Sequence, residues 1–191
     1  MVVERDRLKK AHREDLAVER GKGKIKKAHG DDFPLIFEGD FSLRYTFLTQ
    51  QFYDDHAECR EIEAKVNRPY VKVLVEIEGH TFAVPLRSHI AHPHVLWTDR
   101  ERRCGLDFSK AVVVDRPEYI DTSRVPHIRQ NEFDALRGKE YIVETRMRKY
   151  IADYKKARAR LDIPRNRVLC RYSTLQYFED CIYEPVGSAS E

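Results

Sequence analysis

The sequence predicts an α+β fold in which a small, mostly antiparallel sheet is closed or covered by helices. Three observations lead there. Residues 70–86, YVKVLVEIEGHTFAVPL, alternate apolar and polar side chains on both sides of Glu78-Gly79, the pattern of a β-hairpin with a tight turn. From Asn131 to about Arg160, apolar residues recur at Leu136, Val143, Met147, Tyr150 and Tyr154, which places one apolar stripe along an otherwise charged long helix. Strand-like and helix-like segments follow one another without the regular βαβ alternation of a parallel sheet.

The elements follow in chain order. Residues 1–32 hold few large apolar side chains and read as a basic, partly helical or disordered extension. Folding begins near Phe33, and 191 residues suffice for one domain with a real core, placed at 33–185, before a loose tail at 186–191. FSLRYTFLT (41–49) reads as a strand, and TQQFYDDHAECREIEAKV (49–66) as a helix with Thr49 as a possible cap. The hairpin comes next, and Pro85 implies an edge or a strand end because it cannot donate a ladder hydrogen bond. DFSKAVVV (107–114) reads as a strand, with a short one near Tyr119-Ile120. Pro164 closes the long helix, VLCRY (168–172) reads as a last strand, and STLQYFEDCIYE as a short helix capped by Ser173.

Composition narrows the function. Charged residues make up 35% and apolar residues 41%, with no run long and apolar enough to cross a bilayer and no signal-like start, so a cytoplasmic protein without a membrane partner is expected. Cys59, Cys104, Cys170 and Cys181 form no CxxC pair and read as free thiols. The net charge of +3 hides clustering: residues 1–30 hold ten Lys/Arg against five Asp/Glu, and residues 129–167 hold twelve against six. Lys22, Lys24, Lys26 and Lys27 lie in the first cluster. Such stretches suit a polyanion, since each phosphate they neutralise releases counterions, although charged helices are also often merely solvated.

PLRSHIAHPH (85–94) carries the candidate chemistry. His89, His92 and His94 allow a metal site, because HxxHxH brings imidazoles close, yet no further ligand stands at an established zinc spacing. They also allow metal-independent acid–base chemistry. Histidine exchanges protons near neutral pH, arginine holds phosphate, and RNA supplies its own 2′-hydroxyl nucleophile. Arg87, Ser88, His89 and His92 form such a set, and Arg68 and Lys110 could converge on it. A third reading is a polar loop fixed by hydrogen bonds, with no chemistry.

NRPYVKVLVEIEGHTFAVPLRS, followed about twenty residues later by GLDFSKAVVV, resembles the ToxN-like toxins of type III toxin–antitoxin systems, most of all their TenpN branch. The resemblance covers about residues 41–183. It implies a compact, twisted antiparallel sheet like that of the MazF and Kid toxins, an SH3-like barrel decorated by helices. It also implies an endoribonuclease without cofactor that cuts RNA by 2′-hydroxyl attack, leaving a 2′,3′-cyclic phosphate, and acts in phage defence and abortive infection. The implied partners are a small repeat RNA antitoxin, pseudoknotted and cut from its own precursor, in a cyclic protein–RNA assembly, and cellular or phage RNA as substrate. Carried onto this chain, the family's basic residue before the hairpin matches Arg68, and its Thr-Ser pair matches Arg87 and Ser88. A family lysine falls on Ile90, so proton transfer would pass to His92 or, second, His89. Tyr70, His94 and Lys110 are the further expected RNA contacts. The non-catalytic RNA-binding module and a zinc nuclease using His89, His92 and His94 stay open as alternatives.

Overall fold

The structure, a computed structural model, describes residues 43–62 and 70–183. The basic extension at 1–32, with Lys22, Lys24, Lys26 and Lys27, lies outside the described residues, as do Arg68 and the tail at 186–191. Seven strands form one antiparallel sheet: β1 Arg44–Leu48, β2 Lys72–Ile77, β3 His80–Arg87, β4 Val95–Asp99, β5 Cys104–Asp107, β6 Val112–Val114 and β7 Ile120–Asp121. Their order is β4-β5-β3-β2-β1-β7, with β6 also on β3. The helices are α1 Gln50–Asp55, α2 Gln130–Leu136, α3 Glu140–Arg158, α4 Pro164–Tyr172 and α5 Glu179–Tyr183. The fold is therefore α+β with an antiparallel sheet.

The hairpin forms where the alternation places it. Glu78 and Gly79 both take positive φ, 52° and 82°, as a type I′ turn requires. The expectation for Pro85 is corrected, because β3 is an interior strand with β2 on one side and β5 and β6 on the other. Ala83 faces Val112 and Leu86 faces Leu106, so three steps along β3 are matched by six along its neighbour. The surplus is a 3-10 turn, Phe108–Lys110. The Leu86 amide donates to Val71 O on the β2 side at 2.8 Å, so the proline nitrogen, one residue earlier, points to the opposite edge, where the chain detours. A residue without a donor thus sits where none is needed.

The same detour corrects the single strand expected at 107–114. The Asp107 side chain accepts from the Ser109 amide at 3.0 Å and caps the turn, ending β5, and the ladder resumes at Val112. Buried Thr174 holds the turn from behind by donating to Ala111 O and, at 3.2 Å, to Ser109 O.

Four helical expectations change as well. The long helix is two, because Gly138 at φ 70° ends the first in a left-handed cap. Its stripe is still the core: Leu136, Val143, Met147, Tyr150 and Tyr154 are all buried. Pro164 opens α4 at the first helical position, and VLCRY is helical; fixed φ and an unneeded N–H suit proline there. Among the described residues, the helix expected over 49–66 is only α1, Gln50–Asp55, followed by turns over 56–62, and Thr49 does not cap it with its side chain, which donates to Glu118 O at 3.0 Å. Ser173 caps the 3-10 turn Thr174–Tyr177 by accepting from the Leu175 amide, and α5 follows after Phe178, so the expected C-terminal helix comes in two pieces. β4, at VLWTD, was not anticipated.

The described residues share one core, with α3 laid against β2 and the 3-10 turn 108–110. The four cysteines are free thiols. No helix among the described residues is long and apolar enough to cross a membrane.

Gly105 is where β5 comes closest to β4. A Cβ there would run into the Leu96 carbonyl oxygen and come within 2.9 Å of Val95 Cγ2. Gly105→Ala is therefore expected to destabilise the fold by about 1–3 kcal/mol. The check is a lowered urea midpoint at unchanged m-value; an unchanged midpoint would contradict the close approach.

Candidate active site

The detour brings the two motifs together. Arg87 ends β3, Asp107 ends β5, and the chain between β3 and β4 carries His92 back over the 3-10 turn. Asp107 is fully buried and serves three partners. Its Oδ2 accepts from Arg87 Nη1 at 2.7 Å. Its Oδ1 accepts from Ser109 Oγ at 2.6 Å and lies 3.3 Å from His92 Nε2. His92 Nε2 is also 3.2 Å from Ser109 Oγ. Because the Ser109 hydroxyl donates to Asp107, the proton between it and His92 belongs to Nε2, which sets the neutral imidazole with its lone pair on Nδ1.

Burial alone would raise the Asp107 pKa, but hydrogen bonds from His92, Ser109 and Arg87 outweigh it and hold the carboxyl below its ordinary value. The group is a buried anion kept ionised by its neighbours. It fixes an arginine with one oxygen and a histidine with the other. His92 Nδ1 is buried and has no hydrogen-bond partner. In this conformation the nitrogen suited to take a proton is covered, and reaching it requires residues 88–94 to move.

The other expected residues divide between two sides of the turn. On one, Tyr70, Arg87 and Lys110 line a small cavity of about 20 Å³, with the Arg87 guanidinium 5.7 Å from the Tyr70 ring. Lys110 pairs with Glu61 at 2.5 Å and donates to Tyr172 O at 2.9 Å. On the other, His92 and His94 border a groove of about 760 Å³ between α3 and α4. His94 packs 5.1 Å from the Tyr150 ring. Burial lowers its pKa, helped by His92 and opposed by Asp153 and Asp107, so it stays neutral at pH 7.

Ser88 and His89 are exposed just beyond β3, with His89 Nδ1 3.1 Å from Ser88 Oγ. No hydrogen bond joins this pair to Asp107. His89 holds φ at 60°, a left-handed conformation uncommon outside glycine that concentrates where geometry serves function. Ile90, which stands at the family's lysine position, is 4% exposed, and its backbone is tied to Arg103 through both N–H and C=O.

The zinc arrangement does not assemble. The His92 and His94 rings are 5.8 Å apart, and among the described residues no three His, Cys, Asp or Glu side chains are placed to share an ion. Residues outside the expected set also prove central: Asp107, Ser109 and buried Lys72, which lines the small cavity. Lys72 had a signal, since it lies two residues after Tyr70 in the alternating segment, and both line the small cavity. Asp107 and Ser109 stand in the GLDFSKA stretch, but only the extruded turn gives them roles. Comparison with family models, with curated proteins and with solved structures yields no match for this chain.

Proposed function

We propose that this protein is a metal-independent endoribonuclease of the type III toxin kind, inhibited by a small RNA antitoxin whose precursor it cuts. One observation supports this most strongly: a single buried carboxylate, Asp107, holds a phosphate-binding side chain and a proton-accepting one on its two oxygens. In the proposed reaction the loop carrying His92 first moves to uncover Nδ1, which then takes the proton from the 2′-hydroxyl; O2′ bonds to phosphorus, and the P–O5′ bond breaks. His89 gives a proton to the departing O5′, leaving a 2′,3′-cyclic phosphate. Arg87, oriented by Asp107, is the cation that neutralises the phosphate, with Ser88 orienting it and Arg68 as the further cation. Lys110 and Tyr70 border the Arg87 side of the same turn.

The test is Arg87→Ala beside Arg87→Lys, in purified protein and in growing cells. Loss of RNA cleavage and growth arrest in the first, with partial recovery in the second, is the expected result. Wild-type behaviour of Arg87→Ala would refute the assignment.

The covered Nδ1 favours a second reading, in which the Asp107 network only holds the loop and the protein binds RNA without cutting it. That reading predicts salt-sensitive binding with no cleavage products.

A further inference from the structure

The α3–α4 groove borders His92 but plays no part in the proton transfers. Its floor is aromatic and apolar: the neutral His94 ring, Tyr150 and Leu169. On the α4 side Val168 and Tyr172 stand 56% and 53% exposed, which is unusual for neighbours on one short helix facing a concavity. Two cations mark its edges, and they differ from those around them. Lys149 is held by Asp153, Arg158 by Glu179 and Arg160 by Asp162, whereas Lys156 and Arg165 are exposed and make no ion pair or hydrogen bond among the described residues. Asp153, the carboxylate in the groove, is neutralised by Lys149. The half-exposed Tyr172 ring, with the Arg171 guanidinium 5.8 Å from its centroid, stands beside positive charge, a combination that matches an unpaired base joined to its phosphate. A duplex hides its base faces, so it cannot use such a ring.

We propose that this groove is a subsite for single-stranded RNA flanking the cleaved bond, with a base stacked on Tyr172 and its phosphates neutralised by Lys156 and Arg165. Tyr172 is also tied to the other side of the turn, because its carbonyl accepts from Lys110 at 2.9 Å. The placement beside the cleaved bond rests on the ribonuclease reading, but the binding does not.

The experiment measures affinity of the full chain for an unstructured octanucleotide of 2′-O-methyl RNA, which has no free 2′-hydroxyl and reports binding whether or not the protein cuts. Tyr172→Ala should bind about tenfold more weakly at unchanged thermal midpoint. Lys156→Glu and Arg165→Glu should each weaken binding and lower the salt slope by about one. A duplex of the same length should bind more weakly to the wild type and lose nothing in Tyr172→Ala. Wild-type affinity in the three variants would overturn the proposal, as would an equal loss for duplex, or a loss seen only with an acidic peptide. A wild type that binds through Tyr172 yet never cleaves would refute the ribonuclease reading and leave this subsite standing. Cleavage and binding indifferent to all three variants would do the opposite.

Discussion

Replacing His92 by alanine is expected to slow RNA cleavage by about 10²- to 10⁴-fold, the usual contribution of a positioned proton-transfer group. The imidazole is aligned by Asp107 and Ser109, which bind Nε2, while Nδ1, buried in this conformation, has to be uncovered before it can meet the 2′-hydroxyl. The variant should still fold, because the His92 side chain is 34% exposed and Ser109 keeps its own bond to Asp107. Its thermal midpoint should therefore stay within a few degrees of wild type. Free imidazole in the buffer should restore part of the rate, since the small cavity left by the deletion adjoins an open groove. A variant that folds and cleaves at the wild-type rate would remove His92 from the mechanism and leave His89 as the remaining histidine at the strand end.

Asp107→Ala is expected to have the largest effect on stability. It removes a fully buried charge that satisfies Arg87, the Ser109 hydroxyl and the Ser109 amide, and it leaves the arginine, only 18% exposed, without this counter-ion. Breaking such a pair from one side costs about 3–5 kcal/mol. For a chain of this size that amounts to roughly a 10 °C drop in the thermal midpoint. Asp107→Asn, which keeps the shape and most acceptors, should fall between. The pH dependence follows from the depressed carboxyl. Its stabilising contribution is complete above the unfolded value of about 3.8 and is lost as pH falls through the lower folded value. The stability gap between wild type and Asp107→Asn should thus be constant from about pH 5 upward and shrink on acidification below pH 4. A gap that widens toward acid would mean the folded carboxyl is not depressed.

The hairpin and the helical stripe were legible because their causes are local. Alternation and a Glu-Gly turn specify β2 and β3, and a repeated three- and four-residue spacing places Val143, Met147, Tyr150 and Tyr154 on one side of α3. DFSKAVVV misled because its strand character is genuine at both ends. What breaks it is Asp107 capping its own turn, opposite a proline in a strand twenty residues earlier, and no window along the chain contains both. Gly138 was a visible stop inside the long helical pattern, and it outweighed the continuity of the stripe on either side. VLCRY has strand-like residues, but Pro164 four positions before it starts a helix that they then join.

The candidate site divides in the same way. Arg87 and His92 were recognisable as chemistry-bearing residues, but the carboxylate that joins them lies 20 residues from one and 15 from the other. It became visible only when β3 and β5 paired. The three histidines, adjacent in sequence, separate in space: His89 sits exposed with Ser88, His92 joins Asp107, and His94 packs on Tyr150. Ile90, where the resemblance expects a lysine, is buried.

The most direct test of the central claim is the chemistry of the ends left on RNA cut by the purified protein in excess chelator. The account predicts fragments ending in a 2′,3′-cyclic phosphate, with matching 5′-hydroxyl ends, and none from RNA carrying 2′-O-methyl groups. Intact RNA, cleavage that stops when the chelator is added, or fragments ending in a 3′-hydroxyl would contradict it.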